Sequence, residues 1–136
     1  MSLRHLQLFA VALPAALVLD FAWIAIFAQQ FYQQEIGYLL STDVNWTAAL
    51  MFYVFYIIAL IVFALVPAFK ANSMRKALVL GAFLGFTAYM TYDLTSLATT
   101  RDWTLAVTIV DIAWGTVMSA VVAVFTYWVG KKFLKF

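Results

Sequence analysis

Hydrophobic residues fill this chain in four long blocks, at about 6–28, 46–69, 77–99 and 104–129. Each block can cross a hydrocarbon layer about 30 Å thick, which takes about 20 helical residues. Strands of a membrane barrel would instead alternate apolar and polar positions over about ten residues. The pattern predicts an all-α protein, a four-transmembrane-helix bundle, with 1–136 as a single integral membrane domain. The longest connection, residues 29–45, is polar but carries Phe31, Tyr32, Ile36, Tyr38, Leu39 and Leu40. It predicts a short helix over 31–40, lying in the membrane interface with its apolar side among the headgroups.

Polar positions inside the blocks follow helical spacing. In the fourth, Thr104, Thr108, Asp111, Gly115, Ser119 and Thr126 form a small and polar stripe, with Val122 in the gap. In the third, Gly81, Gly85, Tyr89, Asp93 and Ser96 do the same, and Gly81 to Gly85 is a GxxxG spacing that suits close helix approach. In the second, Trp46, Ala49, Tyr53, Tyr56, Leu60 and Phe63 repeat as a heptad seam. Ala12, Ala15 and Ala16 beside Pro14 offer a flat, small-residue face on the first.

Composition supports a lipid setting. The chain is 67% hydrophobic and 10% charged, against roughly 25% charged in soluble domains. Cysteine is absent, which removes disulfide and thiolate chemistry. Of eight Lys and Arg residues, only Arg101 falls on one side of the predicted membrane. Arg4, Lys70, Arg75, Lys76, Lys131, Lys132 and Lys135 fall on the other, so both termini are expected in the cytoplasm. A cleaved signal peptide is not expected, because Asp20 interrupts the first apolar core and Ile26 spoils the cleavage position in "IFAQQ". Trp46, Trp103 and Trp128 fall at block ends, where an aromatic belt belongs. Asn45-Trp46-Thr47 matches a glycosylation sequon, a match expected by chance in such a chain.

Three acids, Asp20, Asp93 and Asp111, lie inside the blocks. Insertion scales set the cost of a central Asp at roughly 2.5–3.5 kcal/mol. At 1.5 Å per residue, all three fall at one depth, roughly 10 Å below the outer edge. The second helix brings Tyr53 to that level and Tyr56 one turn deeper. The pattern D-x-A-W occurs twice, at Asp20–Trp23 and Asp111–Trp114, placing an indole about one turn from each acid. The candidate ligand-binding set is therefore Asp20, Trp23, Tyr53, Tyr56, Tyr89, Tyr92, Asp93, Ser96, Thr108, Asp111 and Trp114.

Other chemistries find no residues. No Lys lies mid-membrane for a Schiff base, and the lone His5 sits at the edge, so bis-His haem ligation and an imidazole–thiolate zinc site are excluded. No nucleotide-binding or G-x-S-x-G motif is present. No cofactor and no metal are expected. What remains is carboxylate, phenol and hydroxyl.

The D-x-x-W of the first helix resembles one element of a known family, as do Phe52, Tyr53, Tyr56 and Leu60 of the second. The run "GAFLGFTAYMTYDLTSLAT" of the third and Trp103 with D-x-A-W-G of the fourth complete the set. Together they resemble the domain-of-unknown-function 2177 family of predicted bacterial membrane proteins. The family pattern often has Asn where this chain has Ser96. The resemblance implies a small, four-helix, multi-pass protein of the bacterial inner membrane and implies no activity.

Three functional readings follow. The leading one is binding or transport of a small cation, proton or amphiphilic ligand at an acidic, aromatic pocket in the outer third of the bilayer. Transport by four helices would call for a homo-oligomer or larger assembly. The second is a lipid- or isoprenoid-modifying enzyme using carboxylate acid–base chemistry. The third is an accessory subunit of a membrane complex, whose acids only hold the bundle in register. The expected partners are the lipid bilayer and an unidentified small ligand, and no nucleic acid.

Overall fold

The computed structural model describes residues 2–136. Four helices account for nearly all of it: α1, Leu3–Leu39; α2, Trp46–Lys70; α3, Met74–Thr99; and α4, Leu105–Phe133. No strand occurs among the described residues. All four are long and apolar enough to span a membrane. Large apolar side chains such as Val18, Ile26, Phe55, Phe63, Phe83 and Ile109 point outward, which only a lipid solvent makes favourable.

Polar side chains set the helix starts. Asn45 accepts the Ala48 N–H, Ser73 the Lys76 N–H and Thr104 the Val107 N–H, each at 3.1 Å. Each satisfies one orphan amide of a helix start. Asn45 of the sequon match is thus a helix cap. His5, at the start of α1, pairs its Nδ1 with the Ser2 hydroxyl at 2.6 Å. The turns between helices place Asn72 and Asp102 at φ 48° and 56°, a left-handed conformation these short polar residues tolerate.

The interfacial helix expected at 31–40 is not a separate element. Residues 29–36 continue α1 through a π-helical turn at Ile24–Ala28, and a 3₁₀ turn at Gly37–Leu39 ends it. Helical backbone runs unbroken through Trp23, Ala28 and Gln29. The reason lies in the residues: after Pro14, α1 meets no helix breaker until Gly37. Its last turns fold over the bundle rather than into water, and Tyr38 donates to the Arg101 carbonyl at 2.7 Å across the α3–α4 turn.

The tightest contact is between α3 and α4. A Cβ on Gly81 would overlap the Ala123 side chain, and one on Gly85 would overlap the Gly115 carbonyl and the Ser119 side chain. A Cβ on Gly115 would enter the Tyr89 ring. The antiparallel register therefore steps by four, from Gly81–Ala123 through Gly85–Ser119 to Tyr89–Gly115. GxxxG spacing and the polar stripe of α4 meet here, as backbone approach between small residues requires.

The heptad seam of α2 holds only in part. Tyr56 and Leu60 are buried, whereas Trp46 and Phe63 are exposed. A second π turn at Ile61–Leu65 explains the slip at Phe63. It inserts one residue, so the buried face moves on to Ile61, Ala64, Leu65 and Ala68. The small-residue face of α1 is also used internally: Ala12 and Ala16 are buried in the core, so it is not a free face for a partner.

Both ends of the chain meet at one end of the bundle. The Arg4 guanidinium lies 5.5 Å from the Phe136 ring centroid, and Phe69 of α2 stacks on Phe136 and Tyr127. Tyr38 and Arg101 mark the far end.

Candidate functional site

Asp20 is the best-held acid. One carboxylate oxygen accepts the Tyr53 hydroxyl of α2 at 2.7 Å, and the other accepts the Trp114 indole N–H of α4 at 2.9 Å. Three helices are thereby tied at a single side chain that is 7% exposed. Two hydrogen bonds satisfy the buried side chain and offset much of the cost of burying it.

The two D-x-A-W indoles meet. Trp23 stacks on Trp114 with centroids 4.5 Å apart and planes 4° from parallel. Phe27 and Phe31 continue the aromatic column along α1, at 4.8 Å and 5.6 Å. The spacing puts each indole about one turn from the acid on its own helix. Instead Trp114 serves Asp20, and the Trp23 N–H is buried with no partner among the described residues.

These groups border a cavity of about 300 Å³ in the half of the bundle away from the termini. Seven of the predicted residues line it: Asp20, Trp23, Tyr53, Tyr89, Tyr92, Asp111 and Trp114. Asp111 thus shares the cavity with Asp20. The remaining wall comes from Ile24, Tyr32, Ile36, Leu40 and Trp103. α1 supplies three of these five, with Tyr32 and Ile36 coming from its extended end, and Leu40 directly follows it.

Four predicted residues lie elsewhere. Tyr56 is buried below the cavity, where its hydroxyl bonds that of Ser119. Thr108 accepts the Trp103 indole N–H at 3.2 Å and donates to the Thr104 carbonyl at 3.1 Å, so it orients a wall residue. Ser96 is half-buried outside the wall. Asp93 is fully buried, and neither carboxylate oxygen has a partner. It does not line the cavity.

Among the described residues, no three His, Cys, Asp or Glu side chains are grouped to hold a metal ion. The arrangement instead offers an acid in an aromatic surround: two carboxylates, three indoles and four phenols, with no basic side chain on the wall.

Sequence comparison places these features in a family. Residues 5–128 match the predicted membrane proteins grouped as DUF2177. The chain belongs to that family. The match takes in both D-x-A-W segments, the Y-D-L-T of residues 92–95 and the α3–α4 seam, so cavity and scaffold lie inside the family region. No curated protein and no solved structure matches the chain.

Proposed function

We propose that this membrane protein binds a small organic cation in the cavity between Asp20 and Asp111. The observation that carries the reading is the wall itself. Aromatic faces attract cations by about 0.5–2 kcal/mol each, more when water is excluded, and cages of Trp and Tyr suit alkylated ammonium groups. Here Trp23, Trp103 and Trp114, with Tyr32, Tyr53, Tyr89 and Tyr92, surround two carboxylates. Asp20 is fixed by its two donors, and Asp111 supplies a second charge for the ligand. The volume, about 300 Å³, is at the lower end for small-molecule sites.

The other half of the bundle is close-packed. Leu8, Ala12, Leu60, Ala64, Leu65, Ala68 and Ala123 are all buried there. That packing supports a one-sided binding site over a path through the bundle.

The reading is tested with a hydroxyethyl-trimethylammonium ion and its uncharged tert-butyl isostere, titrated by calorimetry against protein in nanodiscs. The cation should bind saturably, and the isostere at least about tenfold more weakly, a difference of about 1.4 kcal/mol. Equal binding of the two would remove charge recognition and the reading with it.

A further inference from the structure

A second, apolar hollow adjoins the acidic cavity. It is bordered by Phe27, Val110, Ala113 and Val117, and by the same two indoles, Trp23 and Trp114. The stacked pair is therefore a wall common to both spaces. One space holds two carboxylates; the other has no polar lining. Ala113 and Val117 are on the exposed, lipid-facing side of α4.

We infer that the ligand is an amphiphile: a cationic head in the acidic cavity, with an alkyl chain passing the Trp23–Trp114 pair into the hollow between α1 and α4. The inference rests on the proposed cation site and adds the chain and its exit. Three features support it. The rings meet by stacking, and the Trp23 N–H has no partner among the described residues, so Trp23 can turn aside while Trp114 keeps its hydrogen bond to Asp20. The π turn at Ile24–Ala28 follows Trp23 directly. Such turns break the regular hydrogen-bond ladder and recur at functional sites. The hollow is bordered by Ala113, the smallest side chain on that wall, which leaves room for a chain beside the rings.

Hydrocarbon in the hollow gains dispersion contacts with the indole and phenyl faces. The charged head gains nothing from lipid, and the acidic cavity adjoins the hollow through the shared indole wall. An amphiphile satisfies both surfaces at once. A short cation satisfies one.

The test compares tetramethylammonium with dodecyltrimethylammonium, in nanodiscs of zwitterionic lipid, on wild type and on Ala113→Trp. Filling the hollow should leave tetramethylammonium affinity within about twofold. It should weaken the dodecyl ligand at least about tenfold, as expected for two or more lost methylene contacts. Comparing variants at one chain length cancels partition into lipid. A second readout does not depend on the variant. A dodecyl chain with a terminal diazirine should label Phe27, Val110 or Val117, and excess tetramethylammonium should suppress that labelling. Equal loss for both ligands, or labelling confined to α2 and α3, would overturn the chain exit while the head site stands. Failure of both ligands to bind wild type would overturn the cation site itself, and this inference with it.

Discussion

Trp114 donates its indole N–H to Asp20, 94 residues earlier in the chain, and so joins the last helix to the first through a buried side chain. Tyr53 donates to the other oxygen of the same carboxylate. Asp20→Ala would leave both donors without an acceptor in a half-buried site. The expected loss is about 2–4 kcal/mol, since each orphaned donor costs about 1–3 kcal/mol and some relief by water is available. Asp20→Asn keeps one acceptor oxygen and should lose less. Unfolding titrations in mixed micelles report the order directly, and equal stability of Asp20→Ala and wild type would show that the three-helix junction contributes nothing.

Gly85 tests the α3–α4 seam. Gly85→Leu forces a side chain into the Gly115 carbonyl and Ser119, so the helices must separate. Overpacking of this kind costs about 1–3 kcal/mol, and more where backbone is the obstacle. Leu84→Ala, one position away and only half-buried, should cost less. The comparison is a thermal midpoint in detergent, and a tolerant Gly85 would mean that the seam is not formed as described.

Much of this architecture was legible in the sequence. Gly81, Gly85, Gly115 and Ser119 carry the seam in their spacing, because small residues at 3-and-4 intervals have few uses except close approach. Equal depth implied one pocket for Asp20, Asp93 and Asp111; Asp20 and Asp111 share a cavity, and Asp93 does not line it. A helix beyond residue 28 was legible, in the one expected over 31–40, but its continuity with α1 was not. Only the absence of Gly or Pro before Gly37 hinted at that continuity. Both π turns were hidden as well. A π turn is one extra residue, and it shows only as a seam that slips, from Phe63 to Ala64. The pairing of Trp114 with Asp20 instead of Asp111 depends on how helices rotate against one another, which spacing along one helix does not report.

Asp93 should behave oppositely to Asp20. It is fully buried, without a partner for either oxygen. Asp93→Leu replaces an unsatisfied polar group with an apolar one of similar size. It should raise stability by about 1–3 kcal/mol. If Asp93 and Asp111 feel one another, the Asp93→Asn and Asp111→Asn double variant will depart from additivity by at least about 0.5 kcal/mol. Loss of stability in Asp93→Leu would point to a partner that Asp93 holds in the membrane.

Seven of the eight basic residues gather at the end of the bundle that holds both termini. Flanking charge of this kind orients helices with those loops in the cytoplasm. A cytoplasm-active reporter fused after Phe136 is expected to be active, and a periplasm-active one silent. The reverse pattern would invert the topology and put the acidic cavity near the cytoplasmic face.

The central claim is that Asp20 and Asp111 jointly hold an organic cation within the indole wall. The most direct measurement is the tryptophan fluorescence of nanodisc-embedded protein titrated with tetramethylammonium, in wild type, Asp111→Asn and Leu78→Ala. Leu78, on the exposed side of α3 away from the cavity, serves as the control. Wild type and Leu78→Ala should show the same saturable change, and Asp111→Asn should require at least about tenfold more ligand, equivalent to about 1.4 kcal/mol. Identical titrations for Asp111→Asn and wild type, or no saturable change in wild type, would contradict the account.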